Sequence, residues 1–165
     1  MQQNNFFTKT ALIAVLVKND MHYMHLLSNG EDFDKSHELT QSYYERLGWE
    51  VDDLMELALE ASAPICNPTL ANQVVPDYLP EDKASYNYPT IVISAIEKLA
   101  IYVSALRGLR NETDNGSIQS KLDDMIRYWE KEINYKLQRR AVGHPVISGF
   151  INTGLDDRIA GMLRA

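Results

Sequence analysis

The chain has 165 residues, one domain's worth, and 45% of them are apolar, enough for a real core. Its 16 basic and 23 acidic residues give a formal charge of −7. That balance argues against general binding to nucleic acid phosphates, which needs a basic footprint, and suits a protein that attracts cations.

The single cysteine, Cys66, excludes an internal disulfide and fits a reducing compartment, so a cytoplasmic setting is expected. The opening residues MQQNNFFTK lack the basic start and apolar centre of a signal peptide. The longest apolar run, Ala11 to Val17, falls far short of the roughly 20 residues of a membrane span, so no membrane partner is expected.

Proline divides the chain. Pro64, Pro68, Pro76, Pro80 and Pro89 lie in one stretch, and residues 1–63 and 90–144 are proline-free. Proline interrupts helices, so the two free stretches are read as helical and the stretch between them as a crossover. The first helix is predicted over about 5–28, with Leu12, Ile13, Leu16, Val17, Met21, Met24 and Leu27 as its apolar positions. Gly30 is available for a left-handed cap just after it. A second helix is predicted over 33–62, burying Leu39, Tyr43, Leu47, Leu54, Ala58 and Leu59. The crossover is long for a structureless loop, so a short helix is expected within it, at Leu70 to Val75 behind Pro68 and Thr69. A third helix is predicted over 90–109 and a fourth over 117–142, the latter burying Ile118, Leu122, Met125, Ile126, Trp129, Ile133 and Leu137. Residues 143–165 form a tail. Two hairpins of long helices joined by a long crossover make an all-α, ferritin-like four-helix bundle, a single domain over 1–165.

The chemistry lies between His25 and Glu56. His25 and His37 flank the turn at Gly30, and Asp52 and Glu56 follow four residues apart. At about 100° per residue, His37, Gln41, Asp52 and Glu56 fall near 0°, 40°, 60° and 100° on one helical face. Yet His37 and Asp52 are about 22 Å apart along that helix, and a metal–ligand bond spans only about 2 Å. One arrangement reconciles the two. Two copies of the helix cross antiparallel about a two-fold axis near residues 46 to 48, so that His37 of one copy faces Asp52 and Glu56 of the other. Gly48 there carries no side chain to hold the helices apart. Imidazole with carboxylates suits iron(II), zinc or manganese.

With His25, Gly30, Phe33 and His37 at their spacing, followed by Asp52 and Glu56, the chain resembles the Dps family of mini-ferritins. The segment ALIAVLVKNDMHYMH is similar to that family's first helix, Pro68-Thr69-Leu70 to the start of its crossover helix, and the run Glu130 to Asn134 to its last helix. The resemblance implies a hollow homododecamer that oxidises iron(II) at sites shared between two subunits and stores the ferric mineral. It implies His25, His37, Asp52 and Glu56 as the catalytic, metal-binding residues. The sequence departs from the pattern at Gln41, where the family has an acidic residue, at Leu26, where it has tryptophan, and at Leu57, where it has arginine. A neutral amide oxygen is a weaker ligand than a carboxylate, so Gln41 is read as a polar interface residue or a fifth, uncharged ligand.

The lysine-bearing tail with which the family binds DNA is missing, since Lys9 is the only basic residue before Lys18, and DNA binding is not expected. Glu-x-x-His, needed twice for a di-iron centre inside the bundle, does not occur, which favours the site between subunits. His22, Glu38 and Glu45 are read as surface or interface residues, Tyr43, Tyr44 and Trp49 as packing across the subunit interface, and Cys66 as a packing residue. Two other readings are carried: a structural cage with weakened or lost oxidation, and, from the apolar tail Ile159 to Arg164, the cargo of a larger shell.

Overall fold

A computed structural model describes residues 5–65 and 86–141. Four helices carry them: α1 (Asn5–Leu27), α2 (Phe33–Glu60), α3 (Tyr88–Glu112) and α4 (Gly116–Lys131). The last continues without a break as a π-helical segment, Glu132–Leu137, and a final α-turn, Gln138–Arg140. α1 lies along α2 and also along α3, and α3 lies along α4, which closes the four-helix bundle. The predicted crossover helix, Cys66 and the tail lie outside the described residues.

Each boundary has a local cause. α1 stops where Ser28 forms a parallel bridge with Tyr86, with Asn29 N donating to the Tyr86 carbonyl at 3.1 Å and Tyr86 N to the Leu27 carbonyl at 3.2 Å. The return end of the crossover is thereby tied to the turn that carries the two histidines. Gly30 takes φ +93°, as a left-handed turn after α1 requires. α2 ends two residues earlier than the periodicity predicts, in a Schellman motif. Ala63 N donates to Ala58 O at 2.7 Å and Ser62 N to Leu59 O at 3.0 Å, with Ser62 in the left-handed region at φ +52°. A side chain at that position is strained. Ser62→Gly is therefore expected to stabilise the fold by about 0.5–1 kcal/mol in urea unfolding, the relief of strain being partly offset by glycine's freer unfolded chain.

α3 begins earlier than predicted. Asn87 Oδ1 accepts from Thr90 N at 3.1 Å, which caps the helix and leaves Pro89 in the first turn, where its missing N–H costs nothing. Asn115 caps α4 in the same way, accepting from Ser117 N at 2.9 Å.

The core follows the predicted stripes, with Leu27 only half-buried and one exchange on α2. Leu12, Ile13, Leu16, Val17, Met21 and Met24 are buried on α1, and Leu39, Tyr43, Leu47, Leu54 and Ala58 on α2. Leu59 was predicted to be buried and is 61% exposed, while Leu57 is buried in its place. Helical phase gives the reason: Leu59 points within about 20° of Asp52, on the outer face, whereas Leu57 falls on the opposite arc beside Leu39. All seven positions predicted for the fourth helix are buried, including Ile133 and Leu137 in the π segment. α3 has the length and mean hydropathy of a membrane span, but its apolar residues Ile91, Leu99, Val103 and Leu106 are buried within the bundle. Each fully buried leucine adds about 1.5–3 kcal/mol to folding.

Candidate functional site

The turn between α1 and α2 brings His25 and His37 together. Their ring centroids are 3.6 Å apart, tilted by 35°. His25 is buried and its Nδ1 lies 3.0 Å from the carbonyl oxygen of His37. A carbonyl can only accept, so Nδ1 carries the proton and donates. In the neutral ring that tautomer leaves Nε2 as the nitrogen with a free lone pair, the atom through which such an imidazole can bind a metal ion. The Phe33 ring lies 5.0 Å from that of His37, tilted by 36°, and Tyr44 stands edge-on to His25 at 5.3 Å. His22 is exposed and lies farther off, 6.2 Å from His25 and 4.7 Å from Tyr44. The turn thus holds two imidazoles in a fixed, partly sheltered pair.

Asp52 and Glu56 do not join them within one chain. Both are exposed, on the outer face of α2 in its last third. Among the described residues no three histidine, cysteine or acidic side chains converge on one point. Gln41 lies between the two halves, exposed, and its Nε2 donates to Glu45 Oε1 at 2.8 Å. Trp49, on the same outer face, is 70% exposed, and Leu26 beside the histidine turn is 66% exposed. Gly48 borders its own α1: a Cβ there would stand 3.8 Å from Lys18 Cε.

A second group of polar residues escaped the sequence reading. It lies inside the bundle. Glu50 is buried, and its Oε2 accepts from Trp129 Nε1 at 2.7 Å and from Tyr102 Oη at 3.0 Å. Its Oε1 accepts from Arg46 Nε at 2.9 Å, one turn earlier on α2. The Arg46 guanidinium lies 3.5 Å from the centroid of the Tyr128 ring. Glu132, also buried, accepts from Tyr43 Oη at 3.0 Å and pairs with Lys136. Burial pushes the Glu50 carboxyl above the usual range, against the downward pull of Trp129, Arg46 and Tyr102. Burial likewise raises the phenols of Tyr43 and Tyr102, and the neighbouring carboxylates Glu132 and Glu50 raise them further. The signal was available in the sequence. Glu50 falls inside the apolar arc of α2, near Tyr43 and Leu57, where a lone carboxylate is out of place without partners.

The two raised phenols predict an alkaline weakness. The unfolded chain loses each phenolic proton near pH 10, while the folded chain retains it, so folding stability falls as pH rises past 10. The slope is about 1.4 kcal/mol per pH unit for each phenol. Urea unfolding between pH 9 and 11.5 should show this fall, and Tyr43→Phe should make it shallower.

These elements define a ferritin-like helical bundle: four long helices, a histidine pair in the first turn, and carboxylates along the second helix. A search of solved structures agrees. The chain is similar to the crystal structure of a DPS protein from Vibrio cholerae O1, described as a member of a broad superfamily of ferritin-like diiron-carboxylate proteins. The TM-score is 0.71 at 18% sequence identity, over 84% of this chain and 88% of that one. No protein-family model matches the sequence, and no curated protein does.

Proposed function

We propose that this protein binds iron(II) at sites completed by two copies of the chain, oxidises it, and stores the ferric product within a Dps-like cage. One observation carries the reading. His37, paired with the buried His25 of α1, sits at one end of α2, and Asp52 lies about 22 Å further along that helix, with Glu56 one turn beyond. Neither pair alone offers a metal ion more than half a ligand set. An antiparallel two-fold pairing of α2 joins the halves and makes two identical sites per dimer. The exposed Trp49 and Leu26 support the same pairing, since large apolar side chains on such a face gain from being covered.

Each residue then has a role. His25, fixed through Nδ1, and His37 offer nitrogen ligands that hold iron(II). Asp52 and Glu56 of the other copy bring negative charge, which favours the more highly charged ferric product over the ferrous substrate. Two iron(II) ions give two electrons to one peroxide, or four give four electrons to one oxygen molecule. The net acidity of the chain draws the cation in.

A second reading has its own support. Gln41 spends its amide on Glu45 and brings no charge, which suits a cage whose oxidation is slow. Mass measurement in solution and iron(II) oxidation followed by absorbance, with peroxide and with oxygen, separate the readings. An assembly with rapid oxidation is expected. A monomer would sink the shared site, and an assembly that leaves the oxidation rate at that of buffer would establish the second reading.

A further inference from the structure

We propose that the buried cluster around Trp129 is a one-electron relay, which carries an oxidising equivalent from the half-buried Tyr128 to Tyr43 and holds it there as a tyrosyl radical. The inference is independent of the iron reading. It rests on which atoms meet inside the bundle.

Three aromatic side chains lie in series. Tyr128 is half-buried and stands edge-on to Trp129 with centroids 4.9 Å apart. Trp129 is fully buried and lies 5.5 Å from the ring of Tyr43, which is buried as well. Oxidising a buried phenol or indole at neutral pH needs somewhere for its proton to go, because a cation stranded in a low-dielectric interior is costly. Each of the two inner members has its own acceptor. Trp129 Nε1 donates to Glu50 at 2.7 Å, and Tyr43 Oη donates to Glu132 at 3.0 Å. Glu132 lies in the π-helical segment, a departure from α geometry that is frequent at functional sites. Tyr102 lies farther from Trp129, at 6.3 Å between centroids, and shares with it the same oxygen of Glu50, so it does not have an acceptor of its own. Tyr43 does, and the relay ends there.

The steps balance. A strong one-electron oxidant such as the hydroxyl radical takes a hydrogen atom from Tyr128 and leaves as water. Trp129 then gives an electron to the Tyr128 radical, which takes up a proton from solvent, while the Trp129 Nε1 proton passes to Glu50. Tyr43 gives an electron to the neutral indolyl radical, and its phenolic proton passes to Glu132. Trp129 recovers its proton from Glu50. The net product is a tyrosyl radical at Tyr43 beside a protonated Glu132, shielded from solvent. A small reductant such as a thiolate restores Tyr43 by supplying one electron, and Glu132 returns the proton.

The test uses the full chain, free of metal, with Trp49→Phe so that Trp129 is the only tryptophan. A photogenerated ruthenium(III) tris-bipyridyl complex supplies the oxidant, and transient absorption with electron paramagnetic resonance reads the radicals. A neutral indolyl signal is expected that decays as a tyrosyl signal grows. Tyr43→Phe should leave the indolyl radical long-lived. Glu132→Gln should do the same while keeping the Tyr43 ring in place, and it decides the matter if Tyr43→Phe fails to fold by circular dichroism. An indolyl decay unchanged in both variants, or a tyrosyl yield unchanged by Trp129→Phe, would overturn the proposal. Iron oxidation enters none of these readouts.

Discussion

Glu50→Ala is expected to lower folding stability by about 3–5 kcal/mol, the range found when one partner of a buried ionic group is removed. The carboxylate does not stabilise the fold by its charge. Burial raises its pKa despite three donors, so desolvation outweighs the attraction of its neighbours. Its value lies in what it satisfies. Without it, the buried Trp129 indole N–H and Tyr102 hydroxyl lose the acceptor they share, at about 1–3 kcal/mol each. Arg46 loses its anion as well, though its side chain is 34% exposed and can turn to water. A domain of this size holds about 5–15 kcal/mol in total, so the variant should lose much of its margin in urea unfolding. Glu50→Gln should cost less, because the amide oxygen still accepts while the amide nitrogen confronts Arg46. A measured loss under about 1 kcal/mol for the alanine variant would mean that water enters and serves the orphaned donors. The pH dependence has a definite sign. With the folded pKa raised above the unfolded one, Glu50 favours folding most at acid pH, and that contribution is lost as pH rises from the usual carboxylate range through the raised value. Glu50→Gln should remove this slope.

The fold was legible because the four stripes obey one period and the prolines gather in one place. Where the structure departs from that period, a local feature overrides the pattern. Asn87 caps a helix whose first turn contains Pro89, so this proline lies inside the helix and does not bound it. Leu59 is apolar but its helical phase turns it outward, and apolar character alone does not direct a side chain inward. The histidine pair was legible as a spacing, but its stacking and the Nδ1 hydrogen bond depend on the turn at Gly30, which the sequence marks without fixing its geometry. The Glu50 and Glu132 cluster was hidden for another reason. Its partners lie 52, 79 and 89 residues away along the chain, and no local pattern reports contacts at that range. A carboxylate inside an apolar arc announces that a partner exists and says nothing of which one.

Chains carrying His37→Ala and chains carrying the pair Asp52→Ala and Glu56→Ala should each oxidise iron(II) poorly, and together they should recover. Loss of an outer partner to a metal ligand costs roughly 10–100-fold, so loss of a ligand itself should cost at least that. The proposed sharing of each site between two copies makes the recovery calculable. In a dimer formed from one chain of each kind, the first site takes intact histidines from one copy and intact carboxylates from the other, while the second site is broken on both sides. Random pairing makes half of the dimers mixed, so about one quarter of all sites should be whole under two-fold symmetry. Co-refolding the two variants in equal amounts should therefore restore about a quarter of the unmutated rate. Each variant refolded alone should stay near its own low rate. If the sites lay within single chains, every chain in the mixture would carry a broken site and nothing would be recovered. Because Asp52 and Glu56 are exposed and His37 is only half-buried, these substitutions should leave the bundle folded, so that a failure to recover would speak to the site and not to the scaffold.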